Sequence, residues 1–151
     1  MSMEIKTQRW VEQQVQWFIG LCKETGMKVT PQRVAIYREL AATDEHPSAE
    51  AIFNKIKTYF PNVSLTTVYR TLETFEGRGV ISVVNTLYNA ARWDAKTEQH
   101  NHLVCVSCKK VEDLYDDTSV NLELDNKKGF RVLGYNLLIN GICKECQEMR
   151  S

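Results

Sequence analysis

The 151-residue chain has no excess of charge of either sign: nineteen Lys and Arg balance nineteen Asp and Glu. A strongly basic domain, the usual mark of a nucleic-acid binder, is therefore missing. The balance also holds within each half, with ten cations against nine anions over 1–84 and nine against ten over 85–151. Any affinity for DNA must come from a few well-placed cations rather than from bulk charge. No apolar run approaches the ~20 residues that span a bilayer. The opening stretch MSMEIKTQRWVEQQVQWF is too polar for the apolar segment of a signal peptide. A cytoplasmic protein without a membrane partner is expected. Internal repeats and low-complexity segments are missing, and no carboxylate, serine or cysteine stands apart as a base or nucleophile. A small-molecule substrate, and with it an enzyme, is not expected.

What the chain does have is 43% apolar and 25% charged residues, ordinary for a globular protein of one domain or two small ones. Residues 8–24 carry Val11, Val15, Phe18 and Cys22 at helical spacing, with Trp10, Trp17 and Leu21 beside them, and Gly26 placed to close the helix. Thr30-Pro31 reads as a cap and first helical position, opening a helix to about Thr43. Ser48 can cap the next helix, in which Ile52, Phe53, Ile56, Tyr59 and Phe60 form an apolar face before Pro61-Asn62 breaks it. Ser64 caps a third, from Leu65 to about Glu76, with core face Leu65, Val68, Leu72 and Phe75. Arg70 falls opposite that face, flanked by Thr66, Thr67 and Thr74, with Tyr69 at the edge. Hydroxyls, a phenol and a guanidinium on one exposed face suit a DNA contact surface, although a solvated helix face has the same look.

Two β-type stretches follow, Val80–Val84 and Leu87–Trp93, turning at Asn85-Thr86 or Asn89-Ala90. Three short helices and then a hairpin make a winged helix-turn-helix, and that order favours DNA binding. The second half changes character. Strands are expected at His102–Val106 and Val111–Tyr115, a short helix near Ser119–Lys128 ended by Gly129, and a longer strand over Phe130–Ile139. This unit is too short to hide its apolar surface alone, so a homodimer is expected through it. The fold class is α+β: a winged-helix domain over 1–92 and a small α/β dimerisation domain over 93–151.

There are five cysteines, and four of them form two pairs, Cys105-x-x-Cys108 and Cys143-x-x-Cys146, each at the end of an expected strand. Each spacing lets two thiolates grip one tetrahedral ion, so a closed four-cysteine structural zinc site is expected. A thioredoxin-like redox pair needs one such motif and a βαβ context, and suits the chain less well. The fifth, Cys22, sits on an apolar stripe and reads as a small buried hydrophobe. Of three histidines, His100 and His102 stand two apart in an expected strand, where both imidazoles share a face. Asp94 at the end of the hairpin and Asp113 on the next strand are nearby acids; alternatively, the two histidines only assist the zinc site. His46 is remote in sequence, and spacing does not recruit it.

Five stretches together carry a specific resemblance over nearly the whole chain. They are Val29-Thr30-Pro31-Gln32-Arg33, His46-Pro47-Ser48-Ala49, Ser64-Leu65-Thr66-Thr67-Val68-Tyr69-Arg70-Thr71-Leu72, His100-Asn101-His102-Leu103-Val104-Cys105-x-x-Cys108 and Gly141-Ile142-Cys143-x-x-Cys146. The chain resembles the ferric uptake regulator (Fur) family, and within it looks most like the peroxide-sensing (PerR) branch. The resemblance implies a metal-dependent repressor of double-stranded operator DNA. It also implies a regulatory site of His46, Asp94, His100, His102 and Asp113, a ligand set suited to Fe(II) or Mn(II), with Zn(II) a possible occupant in vitro. Aspartate at 113 favours the peroxide branch, since iron-uptake regulators usually carry glutamate there; Glu112 stands beside it as the alternative ligand. Tyr135 and Asn101 replace a histidine and an aspartate common in iron-uptake regulators, which argues against a third metal site.

In that scheme metal fixes the angle between the two halves and favours the DNA-competent state. Iron would reduce peroxide beside the imidazoles, oxygen would enter His46 or His100, and the damaged ligand would let go, whereas manganese would resist. The alternative is an iron- or zinc-responsive uptake repressor on the same scaffold. A metalloenzyme suits five protein ligands poorly, because catalytic sites keep an open position. A module binding no DNA leaves Arg70 and its threonines unexplained.

Overall fold

The computed structural model describes residues 7–85, 91–98, 100–115, 127–131 and 137–149. In chain order these form α1 (Gln8–Thr25), α2 (Pro31–Ala41), α3 (Ala49–Ile56), α4 (Leu65–Gly77), β1 (Ser82–Asn85), β2 (Ala91–Asp94), β3 (Asn101–Cys105), β4 (Val111–Leu114), β5 (Leu138–Gly141) and α5 (Lys144–Met149). A 3-10 turn at Lys127–Gly129 lies between β4 and β5. The chain is α+β and divides into two compact units, Met1–Thr97 and Glu98–Ser151. Among the described residues no helix is long and apolar enough to cross a membrane.

Each helix among the described residues of the first unit begins on a hydroxyl. Thr7, Thr30, Ser48 and Ser64 each accept a hydrogen bond from the backbone N–H three residues on, satisfying a donor that the helix itself leaves open. Helix α1 stops at Gly26, whose φ of +73° is a left-handed conformation that costs glycine little, and whose N–H returns to the Cys22 carbonyl. The buried stripe of α1 is the expected Val11, Val15, Phe18 and Cys22, and burial raises the Cys22 thiol pKa. Phe18 stacks on Tyr37 of α2 at 4.3 Å between ring centroids and meets Phe75 of α4 edge-on at 5.0 Å. Three helices are thus joined at one aromatic contact, closed by Ile36, Leu40, Ile52, Ile56, Val68 and Leu72.

Two helices end earlier than expected. Helix α2 stops at Ala41, and α3 stops at Ile56 rather than running on to Pro61. Proline disfavours helical geometry in the residue before it, so Phe60 leaves the helix and residues 57–59 become turns, with the Tyr59 and Phe60 N–H groups both returning to the Ile56 carbonyl. Tyr59 therefore turns outward and is 74% exposed instead of joining the core face, and Trp17 is half exposed beside the α1 stripe.

Strands β1 and β2 pair antiparallel, from Ser82 opposite Asp94 to Asn85 opposite Ala91. Whether Asn85-Thr86 or Asn89-Ala90 makes the turn lies outside the described residues. Trp93 faces Val83 across the ladder and is buried in the helical core, so the first unit runs past residue 92, to Thr97.

The described residues of the second unit form a three-stranded sheet in the order β4-β3-β5, antiparallel on one side of β3 and parallel on the other. Strand β5 takes up the end of the expected strand over Phe130–Ile139. It starts at Leu138 and runs to Gly141, because parallel pairing with β3 continues to Cys105 opposite Gly141. Residues 132–136 of that expected strand, which include Tyr135, and 119–126 of the expected helix lie outside the described residues.

Candidate metal centres and recognition helix

Parallel strands end at the same edge of their sheet, and this brings the two cysteine pairs together. Cys105 closes β3, and Cys143 follows β5 by two residues. A tight turn returns the chain after Cys105: the Lys109 N–H donates to the Cys105 carbonyl at 2.9 Å, and Lys109 takes the left-handed φ of +68°. Cys146 comes from α5, a helix the sequence reading did not expect. Its second pair of thiols is therefore presented by a strand end and a helical turn, with the Gln147 N–H on the Cys143 carbonyl. The four sulfurs lie within 4.8 Å of one another. Cys108 and Cys143 stand 3.8 Å apart. Four thiolates at ~2.3 Å from one tetrahedral ion are themselves about 3.8 Å apart, which the Cys108–Cys143 separation matches.

The charges agree with the geometry. The Cys108 and Cys143 backbone N–H groups hold the Cys105 thiol down at about 6. The Cys146 N–H lowers Cys143, but desolvation and hydrogen bonds from the other three sulfurs outweigh it and push that thiol up to about 12. Sulfurs this close resist accumulating negative charge, and a divalent cation removes the conflict.

The His/Asp residues fall into two sets, one in each unit. In the first, the buried His46 Nε2 lies 3.0 Å from Asp94 Oδ2 at the end of β2. The other Asp94 oxygen, Oδ1, accepts the Lys96 N–H at 2.9 Å, which fixes the carboxylate. His46 has φ +54°, unusual for a residue with a side chain.

In the second unit, His102 on β3 lies directly opposite Asp113 on β4. Asp113 Oδ1 is 2.8 Å from His100 Nε2 and 3.4 Å from His102 Nε2. The two imidazoles share a face, as expected, with ring centroids 4.5 Å apart. The Glu98 carbonyl lies 2.6 Å from His100 Nδ1 and can only accept, so Nδ1 carries the proton. With Nδ1 turned to that carbonyl, Nε2 faces the Asp113 carboxylate oxygen at 2.8 Å, a separation that a shared cation or proton would bridge. Imidazole nitrogens and carboxylate oxygens oriented in this way fit a divalent metal. Glu112, the alternative carboxylate, faces away and pairs with Lys110 at 2.6 Å. Strand alternation decides this, since Asp113 shares its face with the buried Val111.

Helix α4 places Arg70 and Thr66 in solvent, opposite buried Val68, Leu72 and Phe75. Thr67 and Tyr69 are half-buried, and the Thr74 hydroxyl donates to the Arg70 carbonyl at 2.8 Å. The Tyr69 hydroxyl donates to Glu50 of α3 at 2.8 Å, a bond that lowers the Glu50 pKa and raises the Tyr69 pKa. Glu50 had no signal in the sequence, since it sits in the first turn of another helix. Nor did Tyr115, whose ring stacks on His100 at 5.0 Å.

Comparison with known proteins agrees with these observations. Residues 24–140 match the model of the Ferric uptake regulator family. A peroxide-responsive repressor, PerR, from Staphylococcus aureus (strain USA300) is 31% identical over 150 residues, 98% of this chain and 99% of that protein. Among solved structures, the ferric uptake regulator Fur of Helicobacter pylori superposes with a TM-score of 0.75 at 30% identity, covering 93% of this chain and 96% of that one. The peroxide stress regulator of Campylobacter jejuni gives 0.63 at 30% identity, covering 85% and 98%. The match to these proteins makes the chain a metal-responsive transcription regulator rather than an enzyme. The chain belongs to the ferric uptake regulator family.

Proposed function

We propose that this chain is a dimeric, peroxide-responsive repressor that holds operator DNA while its regulatory metal is bound. The observation that carries the reading is Asp113. An aspartate, not a glutamate, faces His100 and His102, and the resemblance ties aspartate there to the peroxide branch. The similarity to proteins described as a peroxide-responsive repressor and a peroxide stress regulator supports it.

In this reading Cys105, Cys108, Cys143 and Cys146 hold one structural Zn(II). His46 and Asp94 of the first unit join His100, His102 and Asp113 of the second on one Fe(II) or Mn(II). Thr66, Thr67, Tyr69, Arg70 and Thr74 of α4 meet the operator, with Arg70 as the exposed cation and Tyr69 presenting its ring, its hydroxyl being engaged by Glu50. The second unit pairs with its copy, which gives exposed Phe130 and Met149 an apolar partner. Two winged helices then sit at a spacing matched to the turns of DNA.

Ferrous iron held by these residues would supply the electron that cleaves the peroxide O–O bond beside the imidazoles. The ring of His46 or His100 would then gain one oxygen and return one electron to the iron and one proton to solvent. Overall, peroxide is reduced to water and the imidazole is oxidised to a weaker donor, and the ligand would let go. The DNA-competent arrangement is then no longer favoured. The alternative, an iron- or zinc-responsive uptake repressor, draws on the H. pylori ferric uptake regulator, which matches at a higher TM-score and similar identity.

The test is operator binding by Fe(II)-loaded and Mn(II)-loaded protein before and after a peroxide pulse. The peroxide reading expects the iron form to lose DNA and the manganese form to keep it. Release that follows free iron or zinc reversibly, with peroxide inert, supports the uptake reading instead.

A further inference from the structure

His46 is the buried ligand candidate whose backbone is out of the ordinary. Its φ of +54° is a left-handed conformation that histidine tolerates better than most residues, but still at a cost. The surrounding contacts show what holds it there. Arg92, on β2, donates from Nη1 to the His46 carbonyl at 3.1 Å. One residue further along both segments, the Trp93 N–H donates to the Pro47 carbonyl at 3.1 Å. The next β2 residue is Asp94, whose Oδ2 lies 3.0 Å from His46 Nε2. Three consecutive residues of one strand thus engage the His46 loop in turn, through a guanidinium, a backbone amide and a carboxylate. Asp94 is fixed independently by the Lys96 N–H, and the Ser82 hydroxyl bonds the Lys96 carbonyl at 2.8 Å. The His46 side of the pair has Arg92 in the corresponding place.

We propose that Arg92 is a positioning residue that holds His46 in its left-handed conformation, so that the His46–Asp94 pair is formed before metal arrives. The proposal rests on the reading of His46 and Asp94 as regulatory metal ligands. A guanidinium suits the task because its charge and planar fork grip a carbonyl without competing for metal. The aliphatic stem packs whatever the head does, so Arg92→Met removes the donor while keeping most of the packing.

The test combines a metal-free readout with Mn(II) affinity, measured by titration of the full-length zinc-loaded protein. In metal-free Arg92→Met, hydrogen exchange at the Trp93 amide should speed up relative to Val83, its neighbour across the ladder. Mn(II) affinity should fall 10–100-fold, the usual cost of losing a group that orients a ligand. Arg92→Lys, which keeps a cationic donor, should recover part of that loss and also guards against a fold defect in the methionine variant. His46→Ala should weaken Mn(II) binding by itself, and adding Arg92→Met to it should weaken it no further. Wild-type affinity in Arg92→Met alongside a loss in His46→Ala overturns the role of Arg92 alone, as do additive losses in the double variant. Wild-type affinity in His46→Ala removes the metal-site reading, and the proposal with it.

Discussion

The four cysteines and the five His/Asp residues are both metal-type constellations, but they are built differently. All four cysteines lie within the second unit, at one edge of one sheet, where parallel pairing of β3 and β5 brings two short motifs side by side. The His/Asp residues are divided between the two units, with His46 and Asp94 in the first and His100, His102 and Asp113 in the second. A centre built inside one unit can only stabilise that unit. If the His/Asp residues bind one ion as proposed, ligands drawn from two units would report on whether the units are held together. On that reading the cysteine centre is structural and the His/Asp centre regulatory.

The largest effect that would break this contrast concerns the cysteines. Cys108→Ser or Cys143→Ser should release zinc and unfold the second unit, since structural zinc is worth about 10–16 kcal/mol of apparent folding free energy at neutral pH. Metal analysis with circular dichroism checks this, and the helices of the first unit should persist. Folded wild-type protein without zinc, or unfolding that spreads through the first unit, would break the contrast. Next comes Phe18, which joins α1, α2 and α4. Phe18→Ala should cost about 3–5 kcal/mol in denaturant unfolding of the first unit while zinc content stays constant.

A smaller effect comes from pH. Burial pushes the Tyr37 hydroxyl up to about 12. In the unfolded chain it ionises near its ordinary ~10, so its contribution is fully present below that and is lost as pH rises toward 12. The first unit should lose about 2–3 kcal/mol over that window, and Tyr37→Phe should flatten the dependence. Arg70→Ala has the smallest expected effect and leaves both units intact. It should cost about 1–3 kcal/mol of discrimination between operators if Arg70 reads a base. If it meets phosphate, the salt slope of binding should shrink by about one instead. Unchanged affinity and salt dependence would remove Arg70 from the interface.

Much of the first unit could be read in advance because its signals are local. Thr30, Ser48 and Ser64 are caps that act within three residues, and the α1 stripe follows from a 3.6-residue period. The misreading of Tyr59 came from extending that period to Pro61 without the unwinding that proline imposes on the turn before it. The cysteine motifs were legible as pairs, but α5 was not. It is a six-residue helix whose reason for existing is the turn through Cys143 and Cys146. Asp113 could have been preferred over Glu112 from the sequence, since it alternates in phase with Val111. His46 could not have been placed from spacing. Its partner Asp94 is 48 residues away, and the Arg92 contact that orders its loop depends on where β2 packs.

The central claim is that the divided His/Asp set senses peroxide through iron. Its most direct test is mass spectrometry of Fe(II)-loaded protein digested after exposure to peroxide, with Mn(II)-loaded protein as the control. The account predicts one added oxygen on the peptide carrying His46 or on the one carrying His100, and none on either in the manganese form. Unmodified His46 and His100 peptides from iron-loaded protein that has nevertheless released its DNA would contradict it.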